Sequence, residues 1–308
     1  MGQPPIPPTP AGTSLTGQTV IVTGGNAGLG LEAARQYITL NASRVILACR
    51  SISKGEEAAK YLSTHPTVKS TNPGVEIRVM ALDLDDETSV VNFASKVKKE
   101  LDALDVLLLN GVNYHSNALL ALELLPLLES TASQRGQPSR LTFVGSSTHK
   151  MHSLNKTPME KEESVTHRWD DKERYRPMQR YSDSKLMVAA FTQELARHVD
   201  PSKVIVNNLC PGMVSTGLNV NLPLWLKPIM WLLRLIRAGT PEVGARTYVY
   251  ATSVAGTESH GKWLQHNKVA ETDVILTESQ GQTLMQKAWA EALESAKKLD
   301  PSFSEALI

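Results

Sequence analysis

Cysteine is scarce in this 308-residue chain, which has only Cys49 and Cys210. Each sits in or beside an apolar run of strand character, so neither a disulfide framework nor a zinc site is expected, and a reducing, cytoplasmic setting is. Charge of one sign is lacking as well. A formal net charge of +1, with 20% charged residues, offers no field to attract nucleic acid or an anionic membrane, so no nucleic-acid partner is expected. Metal-ligand spacing is missing too: His149, His152 and His167 share a polar stretch but fit no zinc pattern, and no metal is expected. Long apolar runs are absent. The most lipophilic segment, residues 222–236, is broken by Lys227, Pro228 and Arg234 and is too short to span a bilayer. Its place is interior or interfacial, which leaves peripheral membrane contact open. The opening MGQPPIPPTPAGTSL has no basic start and no apolar core, so it does not read as a signal peptide, and Ile6 spoils the myristoylation pattern that Gly2 suggests. Residues 1–16 are expected to form a disordered Pro-rich tail.

What is present is a regular alternation. Apolar, β-rich runs at 19–22, 44–48, 75–82, 105–109, 140–145 and 203–210 are interleaved with helical patterns at 28–40, 54–63, 87–101, 118–130 and 182–198. A last helix is expected over 278–298. Runs apolar on both faces suit strands covered by helices on both sides. The order strand, helix, strand predicts an α/β fold with a doubly wound parallel sheet of Rossmann type, in a single domain over residues 17–308.

The first run leads directly into TGGNAGLG, residues 23–30. Gly24, Gly28 and Gly30 let the backbone turn tightly and approach a pyrophosphate, whose charge the following helix N-terminus favours. Glycines also end strands for steric reasons alone, so position after the first strand carries part of the weight. At the end of the second strand stand Arg50 and Lys54, where a site for a free ribose 2′-hydroxyl usually carries an acid. Cations there suit a 2′-phosphate; the plainer reading is a solvated helix start. After the third strand, Asp83 and Leu84 fall where an adenine edge would lie, although Asp83 also reads as a helix cap beside Asp85 and Asp86.

In YSDSK, Tyr181 and Lys185 are four residues apart and share one helix face. A nearby ammonium favours phenolate, so the pair can pass a proton near neutrality. A shift of about three units takes about 4 kcal/mol, which requires burial and a bound cofactor besides the lysine. None of the other six tyrosines has a lysine four residues later.

These motifs, with VGSS at 144–147 and PGMVST at 211–216, follow one another in an order that resembles the short-chain dehydrogenases/reductases over about residues 17–263. Within that family the chain is similar to the retinol-dehydrogenase-like branch, especially short-chain reductases of fungal secondary-metabolite pathways. The resemblance implies NADP(H) as cofactor, held by Gly24, Asn26, Gly28, Leu29, Gly30, Arg50, Lys54, Asp83, Leu84 and Asn110. Pro211 and Gly212 would form the turn beneath the nicotinamide, with Val214 and Thr216 at its carboxamide. It implies Ser146 as the hydrogen-bond partner of the substrate oxygen, with Ser147 as rival, Tyr181 as general acid/base, and Lys185 holding the ribose and lowering the tyrosine's pKa. The implied chemistry is hydride transfer between NADP(H) and a carbonyl carbon. The family's substrate-lid position falls near 217–240. There Trp225 and Trp231 suggest a large apolar carbonyl or alcohol, polyketide-, terpenoid- or retinoid-like, and the family leaves room for a homo-oligomer.

One region departs from the family. The fourth strand ends LLLNGVN, where the family has Asn-Asn-Ala-Gly, and only Asn110 fits cleanly. Val112-Asn113, which would supply the proton-relay asparagine, follows almost at once. Roughly two dozen residues of the usual crossover are absent, and the remainder, 111–139, still exceeds the dozen or so that a parallel crossover requires. Asn113 is thus either a displaced relay residue or a helix cap. A catalytically weak or silent NADP(H)-binding protein, and a membrane-surface protein anchored through 222–236, are the rival functions.

Overall fold

The structure is a computed structural model that describes residues 4–111, 114–160, 163–173, 175–212 and 239–304. Its sheet contains β1 (Thr19–Thr23), β2 (Arg44–Cys49), β3 (Glu76–Ala81), β4 (Val106–Leu109), β5 (Ser139–Val144), β6 (Val204–Cys210), β7 (Trp263–Gln265) and β8 (Lys268–Ala270). The strand order is 3-2-1-4-5-6-7-8, with β8 antiparallel to β7 and the other pairings parallel. The expected α/β doubly wound sheet is therefore what the chain forms. Every residue of β1, β4 and β6 is buried, as unbroken apolar runs between two helical layers require. The short edge strands β7 and β8 are too brief to show a pattern in sequence. His266 and Asn267 join them at φ 52° and 58°, the left-handed pair that a two-residue hairpin turn needs.

The helices are α1 (Gly28–Thr39), α2 (Ile52–Thr64), α3 (Pro66–Thr71), α4 (Glu87–Glu100), α5 (Tyr114–Arg135), α6 (Val165–Asp170), α7 (Pro177–His198), α8 (Pro241–Val249) and α9 (Ser279–Leu299). Ala34 and Ile38 of α1, Leu62 of α2 and Val249 of α8 join Val20, Leu47 and Leu108 in the core on one face. On the other, Phe93 of α4, Leu120 and Leu124 of α5, Phe191 of α7 and Ala292 of α9 pack on Ile21, Leu107 and Phe143.

The β4 to β5 crossover carries the helix α5, and β4 and β5 keep parallel register from Val106↔Arg140 to Leu109↔Phe143. The first half of α5 is buried on nearly every side, residues 116–125 without a break, because α4, α7 and α9 surround what the sheet does not cover. Pro126 lies inside this helix and removes one backbone donor there.

Two segments are more tightly held than their composition suggests. The polar insertion before α7 reads as a surface loop or short helix, yet its His149 and His152 are buried. The buried carboxylate of Asp183 accepts hydrogen bonds from Ser153 N (2.6 Å), Ser153 Oγ (3.0 Å) and Trp169 Nε1 (3.2 Å), folding the insertion back onto α7. In the stretch expected to be a free tail, Ile6 and Leu15 are buried. The Ile6 carbonyl accepts from Arg246 at 3.1 Å, and Leu15 N donates to the Leu40 carbonyl at 2.7 Å. Leu15 joins Val20 and Ile38 in the core, a burial that exists only once the domain is folded.

Gly281, in the first turn of α9, has no room for a side chain: a Cβ there would overlap the Ile275 carbonyl oxygen and lie 2.6 Å from Leu276 Cα. Gly281→Ala is expected to lower the unfolding free energy by about 1–3 kcal/mol in urea titrations. Gly74→Ala, with nothing within 4 Å of the new methyl, is expected to change it by less than about 0.5 kcal/mol.

Candidate active site

The glycine-rich turn leaves β1 at Thr23 and enters α1 at Gly28, with Gly24 at φ 62° and Gly28 at φ 57°, a region open to glycine at little cost. A Cβ on Gly30 would lie 2.5 Å from the Gly24 carbonyl oxygen and 2.7 Å from Asn110 Nδ2. The cradle is therefore closed by the absence of side chains. At the start of α1 the N-cap residue Ala27 makes no side-chain cap and the first turn has no acid, so the helix presents its first amide groups to an anion. Asn26 and Leu29 flank this turn, both half-buried.

Asn110, at the end of β4, holds the turn from the neighbouring strand. Its backbone N donates to Thr23 Oγ1 at 2.8 Å and its Nδ2 donates to the Thr23 carbonyl at 3.1 Å. Its Oδ1 accepts from the Tyr248 hydroxyl of α8 at 2.8 Å. Tyr248 is fully buried, and burial pushes its phenol well above the ordinary range. Sequence reasoning missed this tyrosine, which lies 138 residues away in a helix without a motif.

At the end of β2, Ser51 caps α2 by accepting from Lys54 N, and the exposed Arg50 guanidinium pairs with Asp85 at 3.2 Å. Asp83 Oδ1 accepts from Asp85 N at 3.0 Å in the turn before α4, and the cap of that helix is Asp86, which accepts from Thr88 N at 2.9 Å, not Asp83. The Leu84 carbonyl accepts from Ser116 of α5 at 2.5 Å, and the Leu84 side chain lies where a Cβ on Gly111 would be. The β2, β3 and β4 ends thus line one continuous rim.

On α7, Tyr181 is half-buried and Lys185 is buried, its Nζ 5.8 Å from the tyrosine ring centroid. Lys185 donates to the Val144 carbonyl at 2.7 Å and to the Gly111 carbonyl at 3.5 Å, reaching the ends of β5 and β4 together. Burial pulls its ammonium down to about 8. Burial pushes the Tyr181 phenol up, outweighing the nearby Ser146 hydroxyl, which favours the phenolate. Without the cofactor that a lowered tyrosine requires, loss of water dominates both groups. Of the two adjacent serines, Ser146 is the one whose hydroxyl acts on the Tyr181 phenol, whereas exposed Ser147 meets β6 through its backbone N, 3.3 Å from Cys210 Sγ. Pro211 and Gly212 follow β6, Gly212 at φ 76°. Asn113, Val214, Thr216 and residues 217–238 of the expected lid lie outside the described residues.

A family profile described as short chain dehydrogenase matches residues 18–124 and 172–227. The short chain dehydrogenase sor7 of Hypocrea jecorina is 50% identical over 87% of this chain and 80% of its own length. The short-chain dehydrogenase/reductase tropG of Talaromyces stipitatus is 40% identical over 96% of both chains. That second alignment spans 316 positions, more than the 308 residues here, so it includes residues that this chain lacks. Among solved structures, the Pseudomonas aeruginosa RhlG/NADP active-site complex has TM-score 0.59 at 22% identity, covering 82% of this chain and 96% of that one. L-sorbose reductase from Gluconobacter frateurii, complexed with NADPH and L-sorbose, has TM-score 0.60 at 19% identity with the same coverage. At such identities these two report a shared fold.

Tyr248→Phe leaves Asn110 Oδ1 without its donor. It is expected to cost about 1 kcal/mol of stability and to speed hydrogen exchange at the Asn110 amide while leaving α4 unchanged. Unaltered exchange at Asn110 contradicts the role given to Tyr248.

Proposed function

The chain belongs to the short-chain dehydrogenase family, and on that premise we propose that it interconverts a carbonyl and an alcohol on a large apolar small molecule with NADP(H), Tyr181 moving the proton. The observation that carries the proposal is the meeting of Ser146, Tyr181 and Lys185 beside the β1 turn, at the carboxyl ends of β4 and β5. Strand order reverses between β1 and β4, where open α/β sheets take their ligands.

The turn fits a dinucleotide. Gly30 lets the turn close against Gly24 and Asn110, where a Cβ would overlap both, and the α1 N-terminus has no competing acid. When bound, the nicotinamide supplies or accepts the hydride. Arg50 and Lys54 favour a 2′-phosphate. The ion pair of Arg50 with Asp85 is exposed at both ends, 71% and 76%, so it is worth little and yields readily to a phosphate. The NADP and NADPH complexes among the fold's neighbours agree with this reading.

The remaining steps belong to the chain's own side chains. A substrate oxygen placed between the Ser146 and Tyr181 hydroxyls is oriented by both. Burial keeps Tyr181 protonated, the form that gives its proton to a carbonyl oxygen, and the Lys185 ammonium favours the phenolate left behind. The apolar substrate class rests on the lipophilic composition of residues 222–236. A cytoplasmic location accords with the two unpaired, buried cysteines. Among the described residues, no helix is long and apolar enough to cross a membrane.

A second reading, an NADP(H)-binding protein of low turnover, has one observation in its favour. The relatives carry residues that this chain lacks, and α5 starts only five residues after β4 ends. Nucleotide binding without turnover across apolar ketones and alcohols distinguishes it.

Fluorescence titration is expected to show tighter binding of NADPH than of NADH, and Arg50→Ala is expected to weaken NADPH about tenfold with little effect on NADH. Tyr181→Phe is expected to lower turnover about a hundredfold or more while leaving nucleotide affinity nearly unchanged. Equal affinities for the two nucleotides refute the phosphate assignment, and an active Tyr181→Phe refutes the proton assignment.

A further inference from the structure

Every acceptor position on Ser146 is filled from the turn that follows it. A carbonyl oxygen and a hydroxyl oxygen each have room for two incoming hydrogen bonds. The Ser146 carbonyl accepts from His149 N at 3.1 Å and from His149 Nδ1 at 2.7 Å. Ser146 Oγ accepts from Thr148 N at 3.2 Å and from Thr148 Oγ1 at 3.0 Å. What Ser146 has left to give is its hydroxyl proton, which is what a substrate oxygen needs from it.

The imidazole of His149 has one possible state in this setting. A carbonyl can only accept, so Nδ1 carries the ring proton, and a backbone amide can only donate, so Nε2 accepts from Asp273 N at 3.2 Å, 124 residues further along the chain. Two partners of opposite character thus select one neutral tautomer. Burial pulls this imidazole below its ordinary pKa, which keeps Nε2 an acceptor. The ring is 1% exposed and stands edge-on to Trp263, with ring centroids 4.7 Å apart. Asp273 is itself held: its Oδ1 accepts from Ile275 N at 2.9 Å and stands 3.4 Å from His152 Nε2, and Ile275 and Leu276 are buried.

We propose that His149 is a positioning residue: made a donor at Nδ1 by its bond from Asp273, it grips the Ser146 carbonyl and so holds the Ser146 hydroxyl where its proton reaches a substrate oxygen. The segment between β8 and α9 thereby selects the tautomer that orients a serine at the end of β5. The proposal rests on the reading of Ser146 as hydrogen-bond donor to the substrate, so its test is read on Ser146 itself as well as on turnover.

Ser146-Ser147 is the only Ser-Ser pair in the chain. In protein made with serine labelled with 13C and 15N, without added nucleotide, the Ser147 amide is the one labelled amide that follows a labelled carbonyl, so its NMR correlations isolate the Ser146 carbonyl and Cβ signals. His149→Asn and His149→Gln separate the two ends of the imidazole, because an asparagine amide reaches the place of Nδ1 and a glutamine amide that of Nε2. His149→Gln is expected to move both Ser146 signals and to lower the reduction of trans-1-decalone by NADPH roughly tenfold or more, with nucleotide affinity unchanged. His149→Asn is expected to restore the signals and most of the turnover although it gives up the bond from Asp273, since an amide nitrogen is a donor without help. Ser146 signals that stay put in His149→Gln, or that move equally in His149→Asn, overturn the proposal. So does a glutamine variant more active than the asparagine one, the order expected if His149 only anchors the turn to Asp273, and so does full turnover in a variant whose Ser146 signals have moved. If His149→Gln does not fold, His149→Ala against His149→Asn makes the same comparison. Moved and restored Ser146 signals in a protein that reduces nothing keep the positioning role and discard the reductase reading.

Discussion

Lys185 carries an ammonium that is 3% exposed at the carboxyl edge of a parallel sheet, and the surrounding arrangement follows from the need to keep it there. Water is replaced by the carbonyls of Val144 and Gly111, the ends of β5 and β4, whose dipoles point toward it. The compensation is incomplete, as the depressed pKa shows. Between about 8 and the ordinary lysine value of 10.5, the unfolded chain holds a proton that the folded chain has released, so this residue's cost to stability shrinks as pH rises through that window. A buried cation at a strand end is costly for folding alone and useful beside a phenol that must lose a proton.

The same rim is braced from two directions. Asn110 joins the glycine turn to β4 and, through Tyr248, to α8. Thr148 and His149 join the end of β5 to the segment before α9, through Asp273. The side chains that would touch cofactor and substrate stand on strand ends and one long helix, and the residues holding them come from later parts of the chain. Both braces are built from residues outside the β4 to β5 crossover.

Sequence revealed the sheet and the chemistry and missed the braces, for a physical reason. Runs such as 105–109 and 203–210 are long, apolar on both faces and locally decisive, and Tyr181 and Lys185 are related by a single helical turn. The structure places Lys185 Nζ 5.8 Å from the Tyr181 ring centroid, as that spacing implied, whereas Ser146 was legible only through the family resemblance. Tyr248, Asp273 and Trp263 act across more than a hundred residues, and no local pattern marks a tyrosine that will donate to Asn110 or an amide that will meet His149. The polar insertion forms short helices, one of its two readings, but the burial of His149 and His152 was not legible for the same reason, since Trp263 and Asp273 come from elsewhere in the chain. The upward push on Tyr181 in the protein without nucleotide was not legible either, because pair chemistry is visible in a motif and desolvation is not.

The central claim is that desolvation at the ends of β4 and β5 sets the proton chemistry of this site, and Lys185 reports it most directly. Titrating lysine labelled with 13C at Cε and 15N at Nζ by NMR, in protein without added nucleotide and with the signal assigned by Lys185→Met, reads that ammonium alone. A midpoint of about 8 is the predicted result, and a midpoint near the ordinary 10.5 would contradict the account.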